Sequence, residues 1–326
     1  MFSFEQIIQT VDEAIRGLTP ESRHPAGLFD PIRYTLSNGG KRIRPAFMLM
    51  ACDVYGGRID EALPPALGME VFHNFTLLHD DLMDEANIRR NRPTVHKKWN
   101  RNTAILSGDA MLISAYRLIG ETPAPHLREI LSLFTQTALE ICEGQQFDME
   151  FESRTDVTEA EYIEMIRLKT AVLLACCLKA GAIVGGAPHI EATKLYRFGL
   201  YLGLAFQLQD DLLDVYGNPR TFGKNIGGDI LSNKKTFLLI HALEQASAQQ
   251  KSVIDRYQSA DSLFTPTEKI AAITAIYDRL RIKELTEERI IHYYSKAMDE
   301  LTALDVPAER LAIVHNISKR LMKRES

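Results

Sequence analysis

Two short runs of carboxylates, Asp80-Asp81-Leu82-Met83-Asp84 and Asp210-Asp211-Leu212-Leu213-Asp214, share one spacing and sit among apolar residues. On a helix, Asp80 and Asp84 lie one above the other on the same face, and Asp210 and Asp214 repeat the arrangement. Like charges so placed destabilise an isolated helix by about 0.2–0.5 kcal/mol, so a compensating cation is expected. Hard divalent ions suit carboxylate oxygens, and Mg²⁺ typically takes one or two protein carboxylates together with substrate phosphates. The spacing fits such a bridging site better than an all-protein calcium cage. One run alone is ordinary as a solvated helix end; two, each embedded in apolar helix, are not. His73 and Thr76 precede Asp80 on its stripe, and Gln207 precedes Asp210 on the other. A polar stripe inside an apolar helix is costly unless it lines a cavity.

Basic residues recur beside these carboxylates. Gly39-Gly40-Lys41-Arg42-Ile43-Arg44-Pro45 places three cations on a glycine-started turn entering a helix, where backbone amides and guanidinium groups suit a phosphate. Arg89 and Arg90 follow the first carboxylate run, Lys224 and Lys234 follow the second, and Lys169-Thr170 falls within a helical pattern. This distribution points to diphosphate held between metal and protein. Gln145 and Asp148, next to Gly144, share a helical face. Surface ion pairing alone is an alternative for Arg42, Arg92, Lys97, Lys98 and Lys235. His79 adjoins Asp80 but lacks the further histidines of a metal phosphohydrolase, so it reads as a packing or supporting residue. Trp99 and His96 take no role.

The elements that must position these groups are helical. Phe4, Ile7, Ile8, Val11 and Ile15 mark one face of a first helix ending by Gly17 and Pro20. Pro45 can open a helix at its first position and Gly56-Gly57 can close it. Further helical patterns cover 64–84, 103–119, 125–151, 159–184, 189–215, 231–247 and 267–304. No alternating run supports a sheet, and no linker separates regions of different composition. The expectation is one all-α domain over residues 1–326. The two carboxylate runs each end a helix, which suggests two related sites facing each other.

Composition bounds the partners. The chain has 326 residues, 45% hydrophobic and 25% charged, with a net charge of −5, a balance unsuited to a nucleic-acid footprint. Cys52, Cys142, Cys176 and Cys177 lack metal-binding spacing, and a reduced cytoplasmic setting is expected. The acidic N-terminal segment does not read as a signal peptide. The apolar stretch from Ala171 to Ala187 is interrupted by Lys179 and falls short of a membrane span.

Taken in order, these motifs resemble those of the trans-isoprenyl diphosphate synthases, the polyprenyl synthetases. The resemblance runs from about Asn38 to Thr236 and includes 39–45, both aspartate runs, Arg89-Arg90, Gly144-Gln145 with Asp148, Lys169-Thr170, Gln207, Gly223-Lys224 and Lys234. It departs at Asn233, where the family often has glycine. The resemblance implies a helical bundle around a central cavity, usually homodimeric, with about three Mg²⁺ per substrate-loaded site. It makes Asp80, Asp84 and Asp210 the main metal ligands and Asp81, Asp211 and Asp214 supporting ones. It assigns Arg89, Lys169, Lys224 and Lys234 to an allylic diphosphate, and Lys41, Arg44, His73 and Arg90 to isopentenyl diphosphate. Thr170 and Gln207 would present oxygens that stabilise an allylic cation during 1′-4 condensation, and Lys169, through the diphosphate, would join them as a catalytic residue.

Product length follows from the helix bearing Asp80. Phe75 and Thr76 lie about one turn, roughly 6 Å, down that helix, and Phe72 lies a turn below. An aromatic at Phe75 resembles short-chain enzymes making C15 or C20 products, and the position leaves farnesyl and geranylgeranyl diphosphate both open. A longer-chain synthase is the alternative. A terpene cyclase would not need Lys41, Arg44 and His73, and a non-catalytic synthase subunit would not need both aspartate runs complete.

Overall fold

The computed structural model describes residues 2–19, 22–218, 226–259 and 264–323. Helices dominate, and the only strands among the described residues form a two-stranded antiparallel ribbon pairing Ile88 with Pro93 and Arg89 with Arg92. Two compact units emerge. The first comprises Met1–Gln136, Leu173–Tyr196 and Ala303–Ile317; the second comprises Thr137–Val172, Arg197–Thr302 and Ser318–Ser326.

In the first unit, helix α1 (Phe4–Leu18) starts at a capping box between Ser3 and Gln6 and buries Ile7, Val11 and Ile15. Helix α2 (Ala26–Ser37) leads to the Gly39-Gly40 turn. Helix α3 (Ile43–Val54) begins two residues before the expected Pro45 start, with Arg42 as its left-handed N-cap. Pro45 is tolerated because amides of a first turn have no intrahelical acceptor to lose. Helix α3 is the core of this unit, with Ala46 through Cys52 fully buried. Gly181, on the helix Val172–Val184, is needed there: a Cβ would sit 2.0 Å from the Met48 carbonyl oxygen.

Helix α4 (Ile59–Met83) starts upstream of the expected residue 64 and runs through Pro64 and Pro65. Asp60 and Glu61 favour that first turn electrostatically, and Ala62 is buried in it. The helix delivers the first aspartate run at its C-terminal end. The ribbon and the short helix Val95–Lys98 follow, then Arg101–Ile119, which Asn100 caps by accepting the Thr103 amide hydrogen at 2.9 Å.

The second unit takes over the helix Ala124–Ser153 from Thr137 onward and the helix His189–Tyr216 from Arg197 onward. The expected helix 159–184 contains a π-helical turn, Arg167–Ala171, between Glu159–Ile166 and Val172–Val184. Gly203 accommodates that turn, because a Cβ would lie 2.6 Å from Ala171 Cα. The expected helix 231–247 is instead two helices, Gly228–Leu231 and Phe237–Gln245, broken where Asn233 adopts a left-handed backbone. Likewise 267–304 divides into Pro266–Arg279 and Ile282–Thr302 around left-handed Arg281. Apolar periodicity continues across both breaks, which is why it missed them. No described helix is long and apolar enough to cross a membrane.

Candidate active site

The first aspartate run closes helix α4. Asp84 is the C-cap, and its amide donates to the Asp80 carbonyl at 2.9 Å, keeping the two carboxylates one turn apart. Arg89 reaches back from the ribbon, its Nε 2.7 and 2.8 Å from the two oxygens of Asp81 and its Nη2 3.6 Å from Asp80 Oδ2. Burial pushes Asp81 up to about 6, and the Arg89 guanidinium opposes that shift. Arg89 therefore offsets part of the negative charge of the first run, at Asp81 and Asp80.

Beside it lies the predicted cation cluster. Arg90 donates to the Gly39 carbonyl, and a Cβ on Gly40 would sit 2.9 Å from Arg90 Nη1. Gly40 also has φ +136°, so glycine serves both the turn and the approach of the guanidinium. Arg44 Nη1 stands 3.0 Å from His73 Nε2, while Arg44 Nε is buried with no hydrogen-bond partner among the described residues. An arginine only donates, so His73 Nε2 accepts and the ring proton belongs on Nδ1. Burial holds the His73 pKa well below the ordinary histidine value, with Arg44, Arg90, Arg89 and Arg42 adding to the effect. Lys41 is exposed at the start of the same turn.

Arg42 corrects the surface reading. It is buried, pairing with Glu70 at 2.8 Å and Asp12 at 3.0 Å and donating to the Leu36 carbonyl at 2.7 Å. Glu70 Oε1 also accepts from Asn74 Nδ2 at 3.0 Å. This network fixes the Gly39–Arg44 turn against α1, α2 and α4. Glu70 and Asn74, four apart in an apolar helix, were a visible signal that spacing arguments passed over. Lys235 is buried as well. Arg92 and Lys98 lie over the Tyr34 ring at 4.3 and 4.0 Å, and Trp99 meets that ring edge-on at 5.2 Å, so Trp99 helps anchor the ribbon region.

Down helix α4, aromatic rings form a chain. Phe75 lies 5.5 Å from Phe72 and 4.8 Å from His79, and Phe72 lies 5.1 Å from Phe134. Phe72 is buried and Phe75 half-buried, while the Thr76 hydroxyl donates to the His73 carbonyl at 2.9 Å. His79 packs where Gly108 leaves room, since a Cβ there would be 2.1 Å from His79 Nε2. His79 thus packs between Gly108 and Phe75, the first of the two readings given for it.

In the second unit, Lys169 and Thr170 ride on the π turn, a local distortion common at functional sites. Gly144 lets the backbone of its helix touch that turn, because a Cβ would be 2.4 Å from the Lys169 amide nitrogen. Asp148, on the same helix, accepts from Lys169 Nζ at 2.6 Å and lies 3.8 Å from Lys234 Nζ. Burial raises the Asp148 pKa, but Lys234 and Lys169 outweigh it and hold the carboxyl below its usual range. Gln145 is half-buried beside Gly144.

Thr170 Oγ1 donates to Gln207 Oε1 at 3.1 Å, Gln207 Nε2 donates to Asp211 Oδ1 at 2.9 Å, and the Tyr162 hydroxyl donates to Asp211 Oδ2. Burial, reinforced by Asp229, raises Asp211 to about 7 against Lys234, Tyr162 and Gln207. Asp214 Oδ2 accepts the Asp229 amide hydrogen at 2.9 Å, shaping the turn that leads to Lys234. Lys224 and Gly223 lie outside the described residues. Among the described residues, no three His, Cys, Asp or Glu side chains gather as a metal site.

A model of the polyprenyl synthetase family matches residues 25–277. The chain belongs to that family. It is 36% identical to a geranylgeranyl diphosphate synthase of Methanosarcina mazei, over 97% of this chain and 95% of that one. It is 31% identical to a (2E,6E)-farnesyl diphosphate synthase of Mycobacterium bovis, over 95% and 91%. A crystal structure of a geranylgeranyl pyrophosphate synthase superposes with a TM-score of 0.94 at 41% identity, covering both chains entirely. A second, from Pyrococcus horikoshii, gives 0.91 at 32% identity, covering 99% of this chain and 98% of its own. The family and the all-α fold expected from the motifs are thus borne out.

Within this family member, the departure at Asn233 has a structural answer. Its φ of 55° is a conformation glycine adopts readily and asparagine tolerates better than most residues. Sequence reading missed the π turn, Tyr162 and the Arg42–Glu70 pair. The first leaves no trace in periodicity, and the other two depend on partners far along the chain.

Proposed function

We propose that the chain is a short-chain trans-prenyltransferase, condensing isopentenyl diphosphate with an allylic diphosphate into a C15–C20 isoprenyl diphosphate and releasing diphosphate. The observation that carries this reading is the cluster of Arg44 of α3, His73 of α4 and Arg90, which reaches the Gly39 carbonyl, in a family member retaining both aspartate runs. An allylic ionisation alone needs one diphosphate site. A second cation cluster supports an acceptor diphosphate, which a terpene cyclase does not require.

The donor set fits Mg²⁺: carboxylates paired one helical turn apart in each run, a hard-oxygen set that substrate phosphates would complete. Asp80, Asp84 and Asp210 would be its main ligands, with Asp81, Asp211 and Asp214 supporting them. Bound Mg²⁺ would neutralise diphosphate so that it can leave. Lys169, Lys234, Lys224 and Arg89 bind the allylic diphosphate and stabilise the charge it gains on departure. The C–O bond breaks with its electron pair leaving on diphosphate, and Thr170 and Gln207 turn oxygens toward the allylic cation. Lys41, Arg44, His73 and Arg90 hold isopentenyl diphosphate by its phosphates. Its double bond supplies the electron pair of the new C–C bond, and a proton then leaves to the departing diphosphate. Apolar walls must exclude water, which would otherwise capture the cation.

Phe75, backed by Phe72, limits elongation. Ile105, Leu106 and Ile113, exposed on one helix, support a homodimer in which a second copy covers them. We place the enzyme in the cytoplasm. The deciding experiment incubates purified protein with Mg²⁺, isopentenyl diphosphate and a series of allylic diphosphates, reading products by mass spectrometry. Condensation is expected; none with any primer would reject the proposal.

A further inference from the structure

Tyr162 is 1% exposed, sits among Phe151, Met165, Ile166 and Leu208, and lies 6.4 Å from Phe237 between ring centroids. Phenylalanine would fill that space equally well, so packing gives no reason for the hydroxyl. The hydroxyl instead donates to Asp211 Oδ2, in a carboxylate only 4% exposed. The other oxygen, Oδ1, accepts from Gln207 Nε2 at 2.9 Å. Each carboxylate oxygen thus has its own protein donor.

This arrangement sets the orientation of Gln207. An amide presents a donor at one end and an acceptor at the other, and Asp211 Oδ1, which accepts here while Tyr162 occupies Oδ2, takes the donor end. A flipped Gln207 would turn Oε1 against Asp211 and lose the bond. Held as it is, Gln207 points Oε1 at Thr170, whose hydroxyl hydrogen is engaged there at 3.1 Å. With that hydrogen committed, Thr170 Oγ1 has only lone pairs to offer any other partner. Beside an allylic cation, that is an electronegative surface with no hydroxyl hydrogen in competition.

We infer that Tyr162 is a positioning residue for prenyl transfer: through Asp211 it fixes the Gln207 amide and, with it, the direction of the Thr170 hydroxyl. This rests on the function proposed above, but the relay itself is open to a separate test. Tyr162→Phe removes one oxygen and keeps the packing.

The experiment has two arms. In steady-state kinetics, Tyr162→Phe should lower kcat about tenfold, the scale of a hydrogen bond to a charged group, with KM for both diphosphates within about twofold. In an Asp211→Asn background the same substitution should have almost no further effect, because both changes act on one path. A normal kcat for Tyr162→Phe, a loss confined to KM, or a full additional loss in the Asp211→Asn background would overturn the inference. In the second arm, NMR of the metal-free protein follows the Gln207 side-chain amide, assigned by its disappearance in Gln207→Glu. Those resonances should move in Tyr162→Phe, and unchanged resonances would refute the relay. If wild-type protein condenses nothing, the reaction proposal fails while the amide shift still reports on the relay.

Discussion

Lys269 Nζ lies 2.7 Å from Asn233 Oδ1 and donates to the Leu231 carbonyl at 3.1 Å, so a lysine from the motif-free C-terminal region holds the turn before Lys234. Asn233 also donates to the Gln258 carbonyl at 3.2 Å. The turn thus has asparagine in a left-handed position, secured by side-chain bonds that glycine would not make. Asn233→Gly should be nearly neutral for the backbone, whereas Asn233→Val should cost about 1–2 kcal/mol in denaturant unfolding. Lys269→Ala should raise KM for the allylic diphosphate several-fold with kcat for bound substrate little changed. An unaltered KM would show that the clamp does not position Lys234.

Phe75 and Phe72 form a ring pair one and two turns below Asp80. Phe75→Ala should lengthen the product by at least one five-carbon unit, read by radiolabel chromatography. Unchanged length would end the plug interpretation.

Gly40 admits the Arg90 guanidinium and has φ +136°. Gly40→Ala should strain the turn and push Arg90 away. The expected result is a rise of about tenfold in KM for isopentenyl diphosphate, on the scale of one charge-assisted hydrogen bond, with the allylic KM unaffected. Equal rises in both would place Gly40 outside the acceptor subsite.

Arg42 and Glu70 are a buried pair, with side chains 3% and 4% exposed. Removing one partner strands the other charge. Arg42→Ala should destabilise the protein by about 3–5 kcal/mol in urea unfolding. Replacing both by apolar residues should recover part of that loss, and a single-mutant effect below about 1 kcal/mol would contradict the buried-pair reading.

His73 is half-buried, and desolvation together with the arginines around it holds its folded pKa below the unfolded value near 6.5. The unfolded state therefore binds the extra proton first as pH falls, so this contribution to stability is present above about pH 6.5 and declines below it. Urea unfolding from pH 8 to 5 should show a shallower acid-side loss in His73→Asn than in wild type. Identical slopes would mean that His73 titrates alike in the folded and unfolded states.

Sequence alone determined the features that depend on neighbours a few residues apart. Asp80 and Asp84, or Asp210 and Asp214, share a helix face because a helix returns to the same side each turn, whatever surrounds it. The same regularity made the helices legible and placed His73, Thr76 and Gln207 on polar stripes. Helix ends were less legible, because Asn233 and Arg281 break patterns whose apolar residues continue on both sides. What only the tertiary structure decided was which charge meets which. Arg42 and Arg44 share one turn in the sequence, yet one is paired within a buried network and the other faces His73. Tyr162 belongs to no motif in the sequence, yet its hydroxyl holds Asp211. Burial and hydrogen-bond partners are set by packing between segments tens of residues apart, and a local spacing carries no record of that packing.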